Sequence, residues 1–125
     1  MGSVPARSTA VVAHRDSVQV GDSDLVSAVV TKLGTRLVCF VVAKDKSTIT
    51  RWRNGQSAVP DESSKRLRLV YQIFRLLEGS ESDHTIRAWF IGMNPQLDDD
   101  SPLETIEAGR YKDALIAARA FLAGG

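Results

Sequence analysis

Apolar residues in the front third of the chain recur at helical spacing. Between residues 22 and 34 they return every four positions, which places them on one face of a helix: Leu25, Val29 and Leu33. Asp22 or Ser23 can cap the start of this helix, and Gly34 can end it. The pattern predicts an amphipathic helix that begins at one of these two caps.

The segment that follows, residues 35–43, has a less clear pattern. Its sequence, TRLVCFVVA, is dense in β-branched residues, which by propensity alone favour a strand. The segment is short and lies between two helical signals, so we expect a helix here as well.

Residues 45–55 predict a third short helix, with Asp45 as its N-cap and Gly55 as its stop. Ile49 and Trp52 are three residues apart and therefore face the same side, which we expect to be the inside. The opposite side carries polar and basic residues, namely Lys46, Ser47, Thr50, Arg51, Arg53 and Asn54.

The second half of the chain continues the helical pattern. A longer helix begins near Pro60 or Asp61 and ends at Gly79, with an apolar stripe of Leu67, Val70, Ile73, Phe74 and Leu77. The next stripe comprises Ile86, Trp89, Phe90 and Met93. Ser101 with Glu104 forms a predicted capping box that starts a short helix ending at Gly109. The last stripe comprises Tyr111, Ala114, Leu115, Ala118, Phe121 and Leu122. Since no segment requires a strand, the predicted fold is all-α.

Composition narrows the class of protein without identifying it. The single cysteine excludes an intrachain disulfide, and one cysteine with two separated histidines cannot form a Cys/His metal site. No apolar run is long enough for a membrane span, and the N-terminus lacks the core of a signal peptide. These features predict a cytoplasmic protein whose residues 1–21 form a flexible tail.

The net charge of +1 conceals an asymmetry between the two parts of the chain. Residues 1–80 carry 12 basic and 7 acidic residues, and residues 81–125 carry 4 basic and 8 acidic residues. This asymmetry suggests different partners for the two parts, although a chance scatter of solvated charges would produce it too.

Two short helices joined by a tight polar turn are typical of a helix-turn-helix, with residues 35–43 bracing a recognition helix at residues 46–54. Small hydroxyl side chains in the first turn could enter the major groove, and arginine can bind guanine edges or phosphates. The candidate DNA-binding residues are Lys46, Ser47, Thr48, Thr50, Arg51, Arg53 and Asn54. Alternatively, the motif is kept only as a scaffold or dimer contact.

The stretch TITRWRNG resembles the Xre/Cro repressors, in which T-[IV]-S-R-W-x-x-G is common. From Trp89 onward, the spacing of tryptophan, Asn94–Pro95, Pro102, Ile106 and Gly109 resembles the Xre/MbcA/ParS toxin-binding domain. The resemblance implies an Xre-like helix-turn-helix domain at residues 22–79 and a small three-helix toxin-binding domain at residues 80–125.

This resemblance implies an antitoxin that binds the active site of a RES-domain, NAD-degrading toxin encoded by the adjacent gene and that represses its own operon. The expected partners are that toxin and operator DNA, in a homodimer or a hetero-oligomer with the toxin. The candidate toxin-binding residues, in the loop at residues 94–100 and in the last helix and tail, are Asn94, Arg110, Tyr111, Lys112, Arg119, Gly124 and Gly125.

Two other functions stay open at this point: a stand-alone Xre-family transcriptional regulator, and an adaptor whose helix-turn-helix no longer binds DNA. Catalytic motifs such as HExxH, CxxC or a phosphate-binding glycine-rich loop are missing from the sequence. We therefore expect no enzymatic activity and no cofactor.

Overall fold

A computed structural model describes residues 21–124, and this part of the chain is all-α, as the sequence predicts. The helices are α1 (Gly21–Leu33), α2 (Thr35–Val42), α3 (Lys46–Arg53), α4 (Asp61–Leu77), α5 (Asp83–Ile91), α6 (Pro102–Glu107) and α7 (Tyr111–Leu122), with a 3-10 turn at Pro95–Leu97. Of the predicted tail, residues 1–20 lie outside the described residues, and Gly21 belongs to α1.

Several predicted helix ends are confirmed by their hydrogen bonds. The Ser101 hydroxyl accepts a hydrogen bond from the Glu104 backbone N–H at 3.0 Å, and the Glu104 carboxylate accepts one from the Ser101 N–H at 2.8 Å. This reciprocal capping box starts α6. Gly109 follows the helix with a φ of 85°, which glycine adopts without steric cost.

The ambiguous segment forms a helix, α2, despite its β-branched residues. Val38, Val41 and Val42 are buried on one side of α2, which packs against α4 and α6. Burial of these side chains outweighs the weak preference of the isolated segment for a strand.

Three details of the predicted elements are wrong. Leu122 does not belong to the inward-facing stripe of α7, because its side chain is 42% exposed. Asp22 and Ser23 do not cap α1, because both lie inside the helix, where the Ser23 hydroxyl donates to the backbone oxygen of Arg53 at 2.7 Å. Met93 does not extend the apolar stripe of α5, because the helix ends at Ile91 and Gly92 is extended. The Met93 side chain is consequently 81% exposed.

One hydrophobic cluster includes side chains from both predicted domains. Phe74 stacks on Phe90 with ring centroids 6.0 Å apart, and Leu103, Ile106 and Ala114 belong to the same cluster as Trp52. Helix α7 packs against α4 and α6. Residues before and after the predicted boundary at position 79 therefore contribute to a shared core.

Within residues 21–124, no single helix is long and apolar enough to cross a membrane. Helices α1 and α2 are long and apolar enough for a span only when taken together, and they are bent by 120° relative to each other.

Candidate nucleic-acid and partner-binding surfaces

Helices α2 and α3 are joined by only three residues, Ala43, Lys44 and Asp45. Ala43 adopts a left-handed conformation with φ 56° and ψ 47°. Its N–H donates to the Phe40 oxygen at 3.2 Å, and the Lys44 N–H donates to the Cys39 oxygen at 3.1 Å. These two bonds close the end of α2 and turn the chain directly into α3.

Helix α3 has one buried side and one exposed side, as its sequence predicts. Ile49 and Trp52 are 1% and 2% exposed and belong to the core. The exposed residues of α3 and its C-cap include six of the seven candidate DNA-binding residues: Lys46, Ser47, Thr50, Arg51, Arg53 and Asn54. The structure thus gathers these six on one short helix and its end.

The seventh candidate, Thr48, is half-buried and engaged within the helix. Its hydroxyl donates to the Asp45 carboxylate at 2.7 Å and accepts from the Arg51 guanidinium at 3.2 Å. Hydrogen bonds from the hydroxyl and the backbone N–H of Thr48 lower the pKa of Asp45. The side chain of Thr48 therefore holds the N-cap and orients Arg51.

The C-terminal end of α3 is also fixed. The Arg53 backbone oxygen accepts the Ser23 hydroxyl of α1, and the Gln56 N–H donates to the Arg51 oxygen at 2.8 Å. Gly55 makes this turn with a φ of 70°. Because both ends of α3 are hydrogen-bonded, its exposed side is a platform with a preorganised backbone, which lowers the entropic cost of binding a ligand.

The positive charge on this platform is not neutralised by ion pairs among the described residues. The ion pairs of the structure involve Lys32, Arg68, Arg75 and Arg110, all outside α3. Lys46, Arg51 and Arg53 make none with residues 21–124, and Asp45 is the acidic side chain closest in sequence. This charge is suited to a polyanion such as the DNA backbone.

Two of the candidate toxin-binding residues stabilise the loop at residues 94–100. Asn94 is 9% exposed, and its side-chain oxygen accepts from the Gln96 N–H at 2.9 Å. The Arg110 guanidinium contacts the Asp100 carboxylate at 2.7 Å and so ties the loop to the start of α7. Asn94 has a structural role here, whereas Arg110 remains partly exposed.

Tyr111 is tied to α4. Its hydroxyl is hydrogen-bonded to the Glu62 carboxylate and accepts from the Arg66 guanidinium at 3.2 Å. Arg66 also donates to the Val41 backbone oxygen at 3.0 Å. Arg66 therefore links the last turn of α2 to the first residue of α7, and the Tyr111 hydroxyl is already engaged within the chain.

The outer side of α7 presents the remaining candidates in the described residues. Lys112, Ile116 and Arg119 lie on the same side of α7, because they stand at positions i, i+4 and i+7. Lys112 and Arg119 are both exposed. Ile116 is 52% exposed, and Leu122 is 42% exposed near the end of the helix. Gly124 is exposed with a φ of 86°, and Gly125 lies outside the described residues.

Sequence reasoning missed Ile116 as a surface residue. The available signal was its position four residues after Lys112 and three before Arg119, outside the apolar stripe that packs inward. Trp89, by contrast, is packed within the fold, with its ring 5.2 Å from that of Phe90 and 6.2 Å from that of Phe121.

Side chains suited to metal binding are scattered, since residues 21–124 contain no group of three or more His, Cys, Asp or Glu that could hold an ion. Comparisons of the chain with protein-family models, curated proteins and solved structures give no match. Two surfaces of the described residues are candidates for binding a partner: the exposed side of α3 and the outer side of α7.

Proposed function

We propose that this chain is an antitoxin of a type II toxin–antitoxin system, which neutralises a RES-domain, NAD-degrading toxin by covering its active site. The observation that carries this proposal is the outer side of α7, where an exposed isoleucine stands between two cations near the C-terminus. An apolar centre with a charged rim is typical of protein interfaces, in which arginine is enriched. The family assignment rests on the sequence resemblance.

The position of this surface suits inhibition by occlusion. Leu122 is exposed on the last turn of α7, and Gly124 is exposed just after the helix. An apolar centre flanked by cations can cover the entrance of a toxin cleft that binds a negatively charged dinucleotide. We propose Lys112, Ile116 and Arg119 as the principal contacts.

The proposal is tested by co-expressing the chain with the RES-domain protein of the adjacent gene and by measuring cellular NAD⁺, growth and co-purification. Ile116→Glu places a carboxylate at the centre of the surface. We expect it to weaken toxin binding by about tenfold or more and to restore NAD⁺ loss.

Ile91→Glu is the matched control, because Ile91 is equally exposed, at 56%, but lies at the end of α5. It should leave toxin binding unchanged. Full protection by the Ile116→Glu variant, or equal loss with both variants, would rule out the α7 surface. Failure of the unmodified chain to bind the toxin would rule out the antitoxin function itself.

The second proposed activity is binding of operator DNA by α3, and the unneutralised charge on its exposed side favours it. This activity would allow the antitoxin to repress its own operon. On its own, without a toxin partner, it would define a stand-alone transcriptional regulator.

Binding of a duplex from the region upstream of the gene tests this activity. Arg51→Ala should weaken binding by about 1–3 kcal/mol if the side chain contacts a guanine. Arg75→Ala removes the same charge from α4 and should have little effect. Affinity should also fall steeply as salt increases. Equal affinities of the two variants, or an affinity independent of salt, would contradict a role for α3.

A further inference from the structure

Arg51 differs from the other two cations of α3, because its side chain is held in place. Its guanidinium donates a hydrogen bond to the Thr48 hydroxyl at 3.2 Å, one turn earlier on the same helix. No side-chain hydrogen bond joins Lys46 or Arg53 to the rest of residues 21–124, since the bond at Arg53 is made by its backbone oxygen. Within this part of the chain, Arg51 is therefore the cation of α3 whose direction is fixed.

The Thr48 hydroxyl is itself fixed by Asp45. The hydroxyl donates to Asp45 Oδ1 at 2.7 Å, and the Thr48 backbone N–H donates to the same oxygen at 2.9 Å. A hydroxyl group has a single hydrogen to donate and lone pairs that accept. Because Asp45 takes the hydrogen, the lone pairs are left for the Arg51 guanidinium. The Thr48 side chain is also β-branched and half-buried, which restricts its rotamers.

This arrangement holds Arg51 without neutralising its charge. The guanidinium forms no ion pair with the Asp45 carboxylate, and the neutral Thr48 hydroxyl is hydrogen-bonded to both groups. A carboxylate bonded directly to Arg51 would compete with DNA for the same N–H groups. Thr48 uses only one of these N–H groups, so the others remain available to a ligand.

A guanidinium with a fixed direction is better suited to a base edge than to a phosphate. Arginine recognises guanine by directing two N–H groups at the O6 and N7 atoms, which requires a defined orientation. Phosphates can be contacted from many directions, for which the unrestrained Lys46 and Arg53 suffice. Ordering a long side chain on binding weakens affinity by about 2- to 10-fold. Arg51 avoids part of this loss because Thr48 orders it beforehand.

We propose that Thr48 is a positioning residue, which directs Arg51 at a guanine in the major groove and thereby sets the sequence specificity of α3. This inference rests on the proposed DNA-binding activity of α3. It changes the role of Thr48 from a contact with DNA to a support for such a contact. Lys46 and Arg53 bind phosphates in this arrangement and supply affinity that does not depend on sequence.

Thr48→Val tests the inference in the full chain, because valine keeps the β-branched shape, the helix propensity and the backbone N–H but lacks the hydroxyl. Its affinity for a duplex from the region upstream of the gene should fall about 3- to 10-fold, while its affinity for a mixed-sequence duplex of the same length should not change. Thr48→Ser keeps the hydroxyl and should bind the upstream duplex within about twofold of the unmodified chain. Circular dichroism and urea denaturation verify that each variant is folded.

A double-mutant cycle separates positioning from direct contact. In an Arg51→Ala background, Thr48→Val should have no further effect on binding of the upstream duplex, because no guanidinium is left to orient. A Thr48 side chain that contacts DNA itself would weaken binding in both backgrounds. Replacing guanines one at a time by 7-deazaguanine removes the N7 acceptor and locates the base that is read. The unmodified chain should lose affinity at that guanine, and the Arg51→Ala variant should not.

Three results would overturn the positioning role while leaving DNA binding by α3 intact. The first is equal binding of the upstream duplex by the unmodified chain and the Thr48→Val variant. The second is a loss with Thr48→Val that is the same in the Arg51→Ala background. The third is a loss that is equal for the upstream and mixed-sequence duplexes, or that Thr48→Ser shares in full. An unmodified chain that does not bind the upstream duplex would overturn the DNA-binding proposal and this inference together.

Discussion

Replacing Ala43 by glycine should stabilise the protein, although it removes a methyl group. Ala43 is exposed and lies in the left-handed region, with φ 56° and ψ 47°. It makes the turn between α2 and α3, and its N–H is hydrogen-bonded to the Phe40 oxygen. The substitution keeps this hydrogen bond and relieves the close approach of the alanine Cβ to the backbone.

The magnitude follows from two opposing effects. A left-handed conformation costs an ordinary residue about 1–2 kcal/mol. The greater freedom of glycine in the unfolded chain costs about 0.5–1 kcal/mol. We therefore expect the free energy of unfolding to rise by roughly 0.5–1 kcal/mol, which corresponds to an increase in Tm of about 2–5 °C for a domain of this size.

Urea denaturation monitored by tryptophan fluorescence measures this change. Ala88→Gly is the matched control, because Ala88 is also exposed but lies in the regular helix α5. That substitution should lower the free energy of unfolding by about 1 kcal/mol. If both variants lose stability to the same extent, the left-handed conformation does not strain Ala43 and the reasoning is wrong.

Gly109→Ala should destabilise the fold by about 1–2 kcal/mol in the same denaturation assay, because its φ of 85° is unfavourable for alanine; unchanged stability would contradict this. Arg66→Ala should cost about 1.5–3 kcal/mol by loss of the hydrogen bonds to Val41 and Tyr111, and a loss below about 0.5 kcal/mol would exclude that link. The hydrogen bond from the Ser101 N–H lowers the pKa of the Glu104 carboxyl group. This hydrogen bond therefore stabilises the fold above the ordinary glutamate pKa of 4.5, and the stabilisation is lost as the pH falls through the pKa of the folded state. Glu104→Gln should therefore flatten the fall of Tm in acid, and an unchanged slope would count against the capping box.

Much of the fold could be predicted from local signals, because helix caps and apolar stripes are encoded within a few residues. Asp45 and Ser101 cap the predicted helices, and Ile49 and Trp52 are buried as their spacing indicates. The prediction for Met93 failed because the helical period continued past Ile91 in the sequence, whereas Gly92 leaves the helix.

The predicted surfaces were harder to obtain, because they depend on contacts between distant parts of the chain. Tyr111 resembles an interface anchor in the sequence, but its hydroxyl is hydrogen-bonded to Glu62 and Arg66 on α4. Asn94 similarly caps the turn at residues 95–97. The exposed side of α3 was predictable because a short helix with two inward residues leaves little choice for the others.

The contact of α7 with α4 and α6 has a consequence for the lifetime of the protein in a cell. Ala114 and Ala118 are fully buried in the core that also holds Trp52 beneath α3. A protease that cuts within α7 would open this core and would disturb α3 along with the outer side of α7. Turnover of the chain would then end both of the proposed activities in one event, and neither would survive on a fragment.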